Sequence, residues 1–145
     1  MVMTSRRRLL TGEQQGAALR FAFRSFRQLA RGNPYVWEGE LTPVGGSTYV
    51  VRIAYFPKLA RPQVTVVSPQ LTTREPGVRI PHTFDTGRIC LHLTEEWNAS
   101  MYLHQTIVPW TSLWLYYYEV WHATGRWLGG GHGAANDDKS ATSPM

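Results

Sequence analysis

An α+β fold is predicted by three features of this sequence. Apolar residues between Thr11 and Arg31 recur at helical spacing, short alternating runs fill Tyr35 to Pro69, and tryptophans and tyrosines return to helical spacing after Pro109. At 145 residues with 43% hydrophobic composition, the chain suffices for one hydrophobic core. We expect a single domain from Met1 to Leu128 and a disordered tail from Gly129 to Met145, because GGGHGAANDDKSATSPM carries almost no large apolar residue.

Taken in order, Leu19, Phe23, Phe26 and Ala30, with Ala22 and Leu29 beside them, predict one amphipathic helix from Thr11 to Arg31. Arg20, Arg24, Arg27 and Arg31 repeat at the same spacing on another face, and Gly32, Asn33 and Pro34 end the pattern. YVWEGELTP, STYVVRIAYF and PQVTVVSP, separated by Gly45-Gly46 and by Pro57 to Pro62, read as three successive antiparallel strands. Gln70 to Phe84, with Pro76, Gly77 and Pro81, has little periodicity and is predicted as a long irregular segment of the kind that often carries function. After Trp97, Asn98 or Ser100 is placed to cap a short helix through Ile107, and Pro109 suits the first turn of a second. Trp110, Trp114, Tyr117, Tyr118 and Trp121 then form a stripe up to Gly125, read as core or subunit interface.

Composition narrows the setting. One cysteine cannot form an internal disulfide, so Cys90 is a free thiol, either a small buried hydrophobe or a nucleophile, and a reducing cytoplasm is the expected location. Ser5 to Leu9 is similar to a twin-arginine export signal, but Glu13, Gln14, Gln15, Arg20 and Arg24 interrupt the apolar stretch such a signal needs. No apolar run approaches the ~18 residues of a membrane span, so no membrane partner is expected. The net charge of +5 is concentrated near the N-terminus, where it suits nucleic acid, anionic lipid or an acidic protein face, or simply water. A nucleic-acid role would rest on those arginines alone, without an aromatic platform beside them, and is not expected.

The stretch around the thiol carries a resemblance. YFPKLARPQVTVVSP is followed by IPHTFDTGRICLHLTEEW, which places Pro81, Gly87, Ile89, Cys90, Leu91 and Trp97 in the order found in ubiquitin-conjugating enzymes. The resemblance runs from about Thr11 to Val108 and implies a UBC-like fold: an N-terminal helix, an antiparallel meander, an active-site loop with the cysteine, and C-terminal helices. Two positions depart from it: Ile80 replaces the family histidine, and His82 stands where the family has asparagine. The block TIVPWTSLWLYYYEVWHATGRWLGGG resembles the bacterial branch of the family, found in antiphage operons that signal by cyclic oligonucleotides (CBASS). That resemblance implies conjugation of a cyclic-nucleotide synthase through its C-terminal tail.

The chemistry so implied is acyl transfer through a thioester, which suits cysteine because its thiolate is both a strong nucleophile and a good leaving group. Cys90 is the nucleophile. His82 is a candidate oxyanion donor or general base, or else a histidine that pins its loop. His92, two residues beyond Cys90, assists or lines the groove. Trp97 is read as packing, and Asp85 and Glu95 as acids that position an amine or are simply solvated. Arg20, Arg24 and Arg27 are candidate partner-binding residues, matching the docking role of the first helix in the resembled family. No paired-cysteine or His-x-x-x-His spacing supports a metal site, and no glycine-rich phosphate loop supports a nucleotide cofactor. An associated activating enzyme is therefore the simplest source of an activated cargo. The alternative is an inactive scaffold of the same fold that binds the same partner.

Overall fold

The computed structural model describes residues 8–85, 87–91 and 96–129. Among these, six strands form one sheet: β1 (Arg27–Ala30), β2 (Tyr35–Leu41), β3 (Tyr49–Phe56), β4 (Arg61–Ser68), β5 (Thr83–Asp85) and β6 (Arg88–Ile89). Their spatial order is β1-β2-β3-β4-β6-β5, with every neighbouring pair antiparallel. Strands β2, β3 and β4 are the expected meander, and period-two alternation buries Tyr49, Val51, Ile53 and Tyr55 of β3 on one face. Trp37 and Leu41 of β2 and Val64 and Val66 of β4 join them. The same core takes in helix α2 (Ile107–Thr124), which buries Ile107, Val108, Thr111, Trp114, Leu115, Tyr118 and Trp121. Pro109 lies in its first turn, and Gly125 at φ 85° caps its end by donating to the Trp121 carbonyl at 2.7 Å. No helix among the described residues is long and apolar enough to cross a membrane.

The first helix is shorter than its periodicity predicts. Helix α1 spans Gly12–Ala22, opened by a capping box in which Thr11 Oγ1 accepts from Gln14 N and Gln14 Oε1 accepts from Thr11 N. The chain leaves the helix at Phe23, and Ser25 explains the exit: its hydroxyl accepts from Glu40 N at 2.9 Å and donates to the Glu40 carbonyl, an alternative to continued helix. Phe26 then buries its ring over Gly39, where a Cβ would lie 2.4 Å from it. Phe26 and Ala30 therefore satisfied a helical count while belonging to a bend and to β1.

The arginine stripe dissolves with that correction. Arg20 stays on α1 and donates to its own helix at the Gly16 carbonyl, Arg24 is in the exposed turn, and Arg27 on β1 lies 3.6 Å from Glu38 across the strand pair. Arg31 pairs with Glu13 at 2.7 Å, and its guanidinium holds that carboxyl below the usual range.

The short helix expected after Trp97 is also replaced, by a single 3-10 turn at Leu103–Gln105. The backbone groups that a helix would pair internally are taken by α1 and the residue Leu10 just before it. Gln15, fully buried, donates from Nε2 to the Met101 carbonyl and accepts at Oε1 from Leu103 N, both at 2.8 Å, while Leu10 N donates to the Ala99 carbonyl. Replacing Gln15 by Leu leaves two interior backbone groups unpaired and is expected to cost roughly 2–4 kcal/mol. Urea unfolding checks this: the midpoint falls with an unchanged slope.

Candidate functional site

Cys90 follows β6 directly, and its position is fixed by backbone bonds on both sides of the β5–β6 hairpin. Gly87, at φ 73°, turns the chain where a Cβ would sit 3.0 Å from the Val66 carbonyl, and its own carbonyl accepts from Val66 N at 2.8 Å. Cys90 N then donates to the His82 carbonyl at 2.8 Å. That same carbonyl accepts from the indole Nε1 of Trp114, on α2, at 3.2 Å. His82 adopts φ 56°, a left-handed conformation that turns the chain from the irregular segment into β5.

The irregular segment is itself anchored. Thr72 N donates to the Tyr118 hydroxyl at 2.9 Å, Thr72 Oγ1 lies 2.8 Å from His122 Nε2, and Arg74 donates to the His122 carbonyl. Thr83 Oγ1 donates back to the Ile80 carbonyl. The segment is thus fastened at Thr72 and Arg74 to the C-terminal half of α2 and at His82 to Trp114, nearer the start of that helix.

Cys90 and the buried His82 line one groove of about 490 Å³. Its wall is aromatic, made by Trp110, Trp114 and Tyr117 of α2 together with Trp127 from the segment after the helix. Trp127 folds back so that its ring centre is 5.0 Å from that of His82, 5.3 Å from Trp114 and 6.0 Å from Tyr117. Gly129, the first residue assigned to the tail, is buried against the Tyr117 ring, where a Cβ would lie 2.3 Å away. Glu96, exposed, stands at the rim and is the one carboxylate among the described lining residues. Trp97 packs beneath, 4% exposed, edge-on to Tyr55 and donating from Nε1 to Thr106 Oγ1 at 2.9 Å.

The fold therefore brings Cys90 and His82 together and keeps Arg20, Arg24 and Arg27 on α1, the following turn and β1, away from the groove lining. His92 and Glu95 lie outside the described residues, as do residues 130–145 of the tail. Trp110 and Tyr117 were legible only as members of a core stripe, and both are half-buried groove walls. Trp127 and Glu96 were missed; a tryptophan just past the Gly125 stop, where the chain can reverse, was the available signal for Trp127. Among the described residues no group of three or more His, Cys, Asp or Glu could hold a metal ion.

Gly87→Ala is expected to lower stability by roughly 1–2 kcal/mol, since a Cβ must enter the left-handed region against the Val66 carbonyl. Thermal unfolding measures the loss, and faster alkylation of Cys90 by iodoacetamide is its local counterpart.

Residues 15–135 match the family described as "Type II CBASS E2 protein". No curated protein and no solved structure matches the chain.

Proposed function

The chain belongs to the type II CBASS E2 family, and from that premise we propose that it is a UBC-like conjugating protein with Cys90 as its acyl carrier. The family supplies a setting in CBASS antiphage defence alongside other CBASS proteins. The observation that carries the chemical reading is the meeting of the Cys90 thiol and the His82 imidazole on one groove, with the cysteine backbone pinned to the His82 carbonyl. A half-buried thiol at a strand end beside a groove is reachable by a narrow, extended chain terminus. The cargo in this reading is the C-terminal tail of the operon's cyclic-nucleotide synthase, delivered by an activating enzyme.

In the loading step the Cys90 thiolate attacks the activated carbonyl, a sulfur–carbon bond forms, and the activating group departs. In the transfer step an amine attacks the same carbon, the sulfur–carbon bond breaks, and the thiolate is regenerated. His82, held in the groove by its tilted ring contact with Trp127, donates a hydrogen bond to the tetrahedral oxyanion or takes the amine's proton. The acidic partner face that delivers the cargo meets Arg20 and Arg24, which are exposed and not ion-paired among the described residues; Arg27 extends that basic surface while contacting Glu38.

Cys90→Ala is expected to abolish a cargo-sized, thiol-labile adduct seen by intact-protein mass, and Cys90→Ser or Cys90→Lys to trap a reductant-stable ester or amide. An adduct that survives in the alanine variant ends the covalent reading and leaves the scaffold.

His82→Ala is expected to slow transfer to an amine on the order of a hundredfold while slowing loading less. His82→Asn separates the roles, because asparagine tolerates the left-handed backbone and donates a hydrogen bond but takes no proton at neutral pH. Transfer near the wild-type rate assigns oxyanion stabilisation, and severe loss assigns base catalysis.

Charge reversal at Arg20 and Arg24 is expected to slow loading several-fold and to flatten its salt dependence, because steering by opposite charge is gone. Loading rates measured from low to high salt decide it, and equal rates return these arginines to a solvated face.

A further inference from the structure

We propose that the segment from Gly125 to Gly129 is a strap that closes the groove over His82 and swings away at Gly125 to open it. Burial alternates along it: Arg126 and Leu128 are exposed, whereas Trp127 is half-buried and Gly129 buried, the pattern of an extended chain laid with one side against a surface. Both inward residues line the groove together with Cys90 and His82. Trp127 sets its ring centre 5.0 Å from that of the imidazole, and Gly129 meets the Tyr117 ring so closely that only a residue without a Cβ fits. Under this cover His82 is 6% exposed.

The strap is fastened differently from the other walls. The segment that leads to His82 is tied to α2 by hydrogen bonds from Thr72 N to the Tyr118 hydroxyl, from Arg74 to the His122 carbonyl, and from the Trp114 indole to the His82 carbonyl. By contrast, no hydrogen bond among the described residues holds Trp127, Leu128 or Gly129; the last before them runs from Arg126 N back to Thr124 Oγ1. Their attachment is ring contact, from Trp127 to His82, Trp114 and Tyr117, and from Gly129 to Tyr117. A wall held only by such contacts opens at less cost than one held by bonded backbone, so this one comes away while the others stay. A glycine stands at each end of it: Gly125, at φ 85°, and Gly129, followed in sequence by Gly130 and Gly131. Glycines absorb the dihedral changes of a hinge without steric cost.

Closed, the strap holds the imidazole and keeps water from it. Open, it exposes the imidazole and widens the cleft beside Cys90. Under the proposed function the open form admits an extended cargo terminus and the closed form serves transfer. The inference rests on that reading only for this consequence, since the strap's motion belongs to the cargo-free chain.

The test uses the full chain, reduced and free of cargo, treated with diethyl pyrocarbonate, which carbethoxylates accessible imidazoles; the rate at each histidine is read by peptide mass. Two variants open the strap in different ways. Trp127→Ala removes the latch, and Gly129→Val keeps Trp127 but drives a side chain against the Tyr117 ring. Each is expected to raise the rate at His82 on the order of threefold or more, and to leave His104, half-buried in the turn before α2, at the wild-type rate. An unchanged rate at His82 in either variant, or a parallel rise at His104 that reports loosening of the whole fold, overturns the proposal. The readout needs no thioester, so failure of cargo loading would remove the proposed function while the strap stands or falls on its own measurement. Where Cys90 loads, Gly129→Val is expected to load about twofold faster, and equal or slower loading overturns the strap's control of cargo entry.

Discussion

One carbonyl oxygen, that of His82, joins the two halves of the site. It accepts from the Cys90 backbone at 2.8 Å and from the Trp114 indole at 3.2 Å, so the strand end that carries Cys90 and the helix that walls the groove share an acceptor. Buried acceptors of this kind are costly to leave unmade, and the two lone pairs are both used. His82 must hold a left-handed backbone to aim its carbonyl there, and that same turn carries its imidazole into the groove. Placement of the thiol and placement of the histidine are therefore one geometric event.

The composition of α2 follows from having two partners. Trp114, Tyr118 and Trp121 are buried in the core with the sheet, while Trp110 and Tyr117 are half-buried and Trp127 packs against the Tyr117 ring. Trp114 stacks on Tyr118 with ring planes 8° apart, and Tyr118 meets Tyr49 of β3 edge-on, so the groove wall is continuous with the rigid interior. Glu119 adds a polar clasp, accepting from Ser47 N and from the Tyr49 hydroxyl at 2.7 Å; burial and this carboxylate together push the Tyr49 phenol well above its ordinary range. In the proposed function, a groove that presents a thiol and an imidazole together benefits from walls that cannot yield.

The meander was legible because strand alternation is a local property: Tyr49, Val51, Ile53 and Tyr55 fall on one face whatever lies above them. The end of α2 was legible for the same reason, since Gly125 supplies a left-handed cap within one turn. The N-terminal helix was overextended because helical spacing at Phe23, Phe26 and Ala30 does not encode the space above Gly39 or the bond from Glu40 to Ser25. The turn after Trp97 failed as a helix for a comparable reason, its backbone groups being claimed by Gln15, 86 and 88 residues away in sequence. Of the site, Cys90 and His82 were visible through motif order, whereas the aromatic wall was not, because a stripe at helical spacing does not say which members face the sheet and which face a cleft. Trp127 lies beyond the helix altogether, and only the chain reversal brings it back.

These tertiary bonds also set how the basic N-terminal segment relates to the thiol. Gln15 fastens α1 to Met101 and Leu103, the turn at Leu103 leads into α2, and Trp114 of α2 reaches the His82 carbonyl that receives Cys90 N. Each link is a hydrogen bond between packed elements or the chain itself, and none is an element with two arrangements that could switch. The connection is therefore a frame, not a relay: the helix that carries Arg20 and the turn that carries Arg24 stand at a set distance from Cys90. Under the proposed function that fixed distance has a chemical consequence, since a cargo tail of given length either reaches the thiol or does not. In that reading, selection among cargoes falls to tail length and to the docking face.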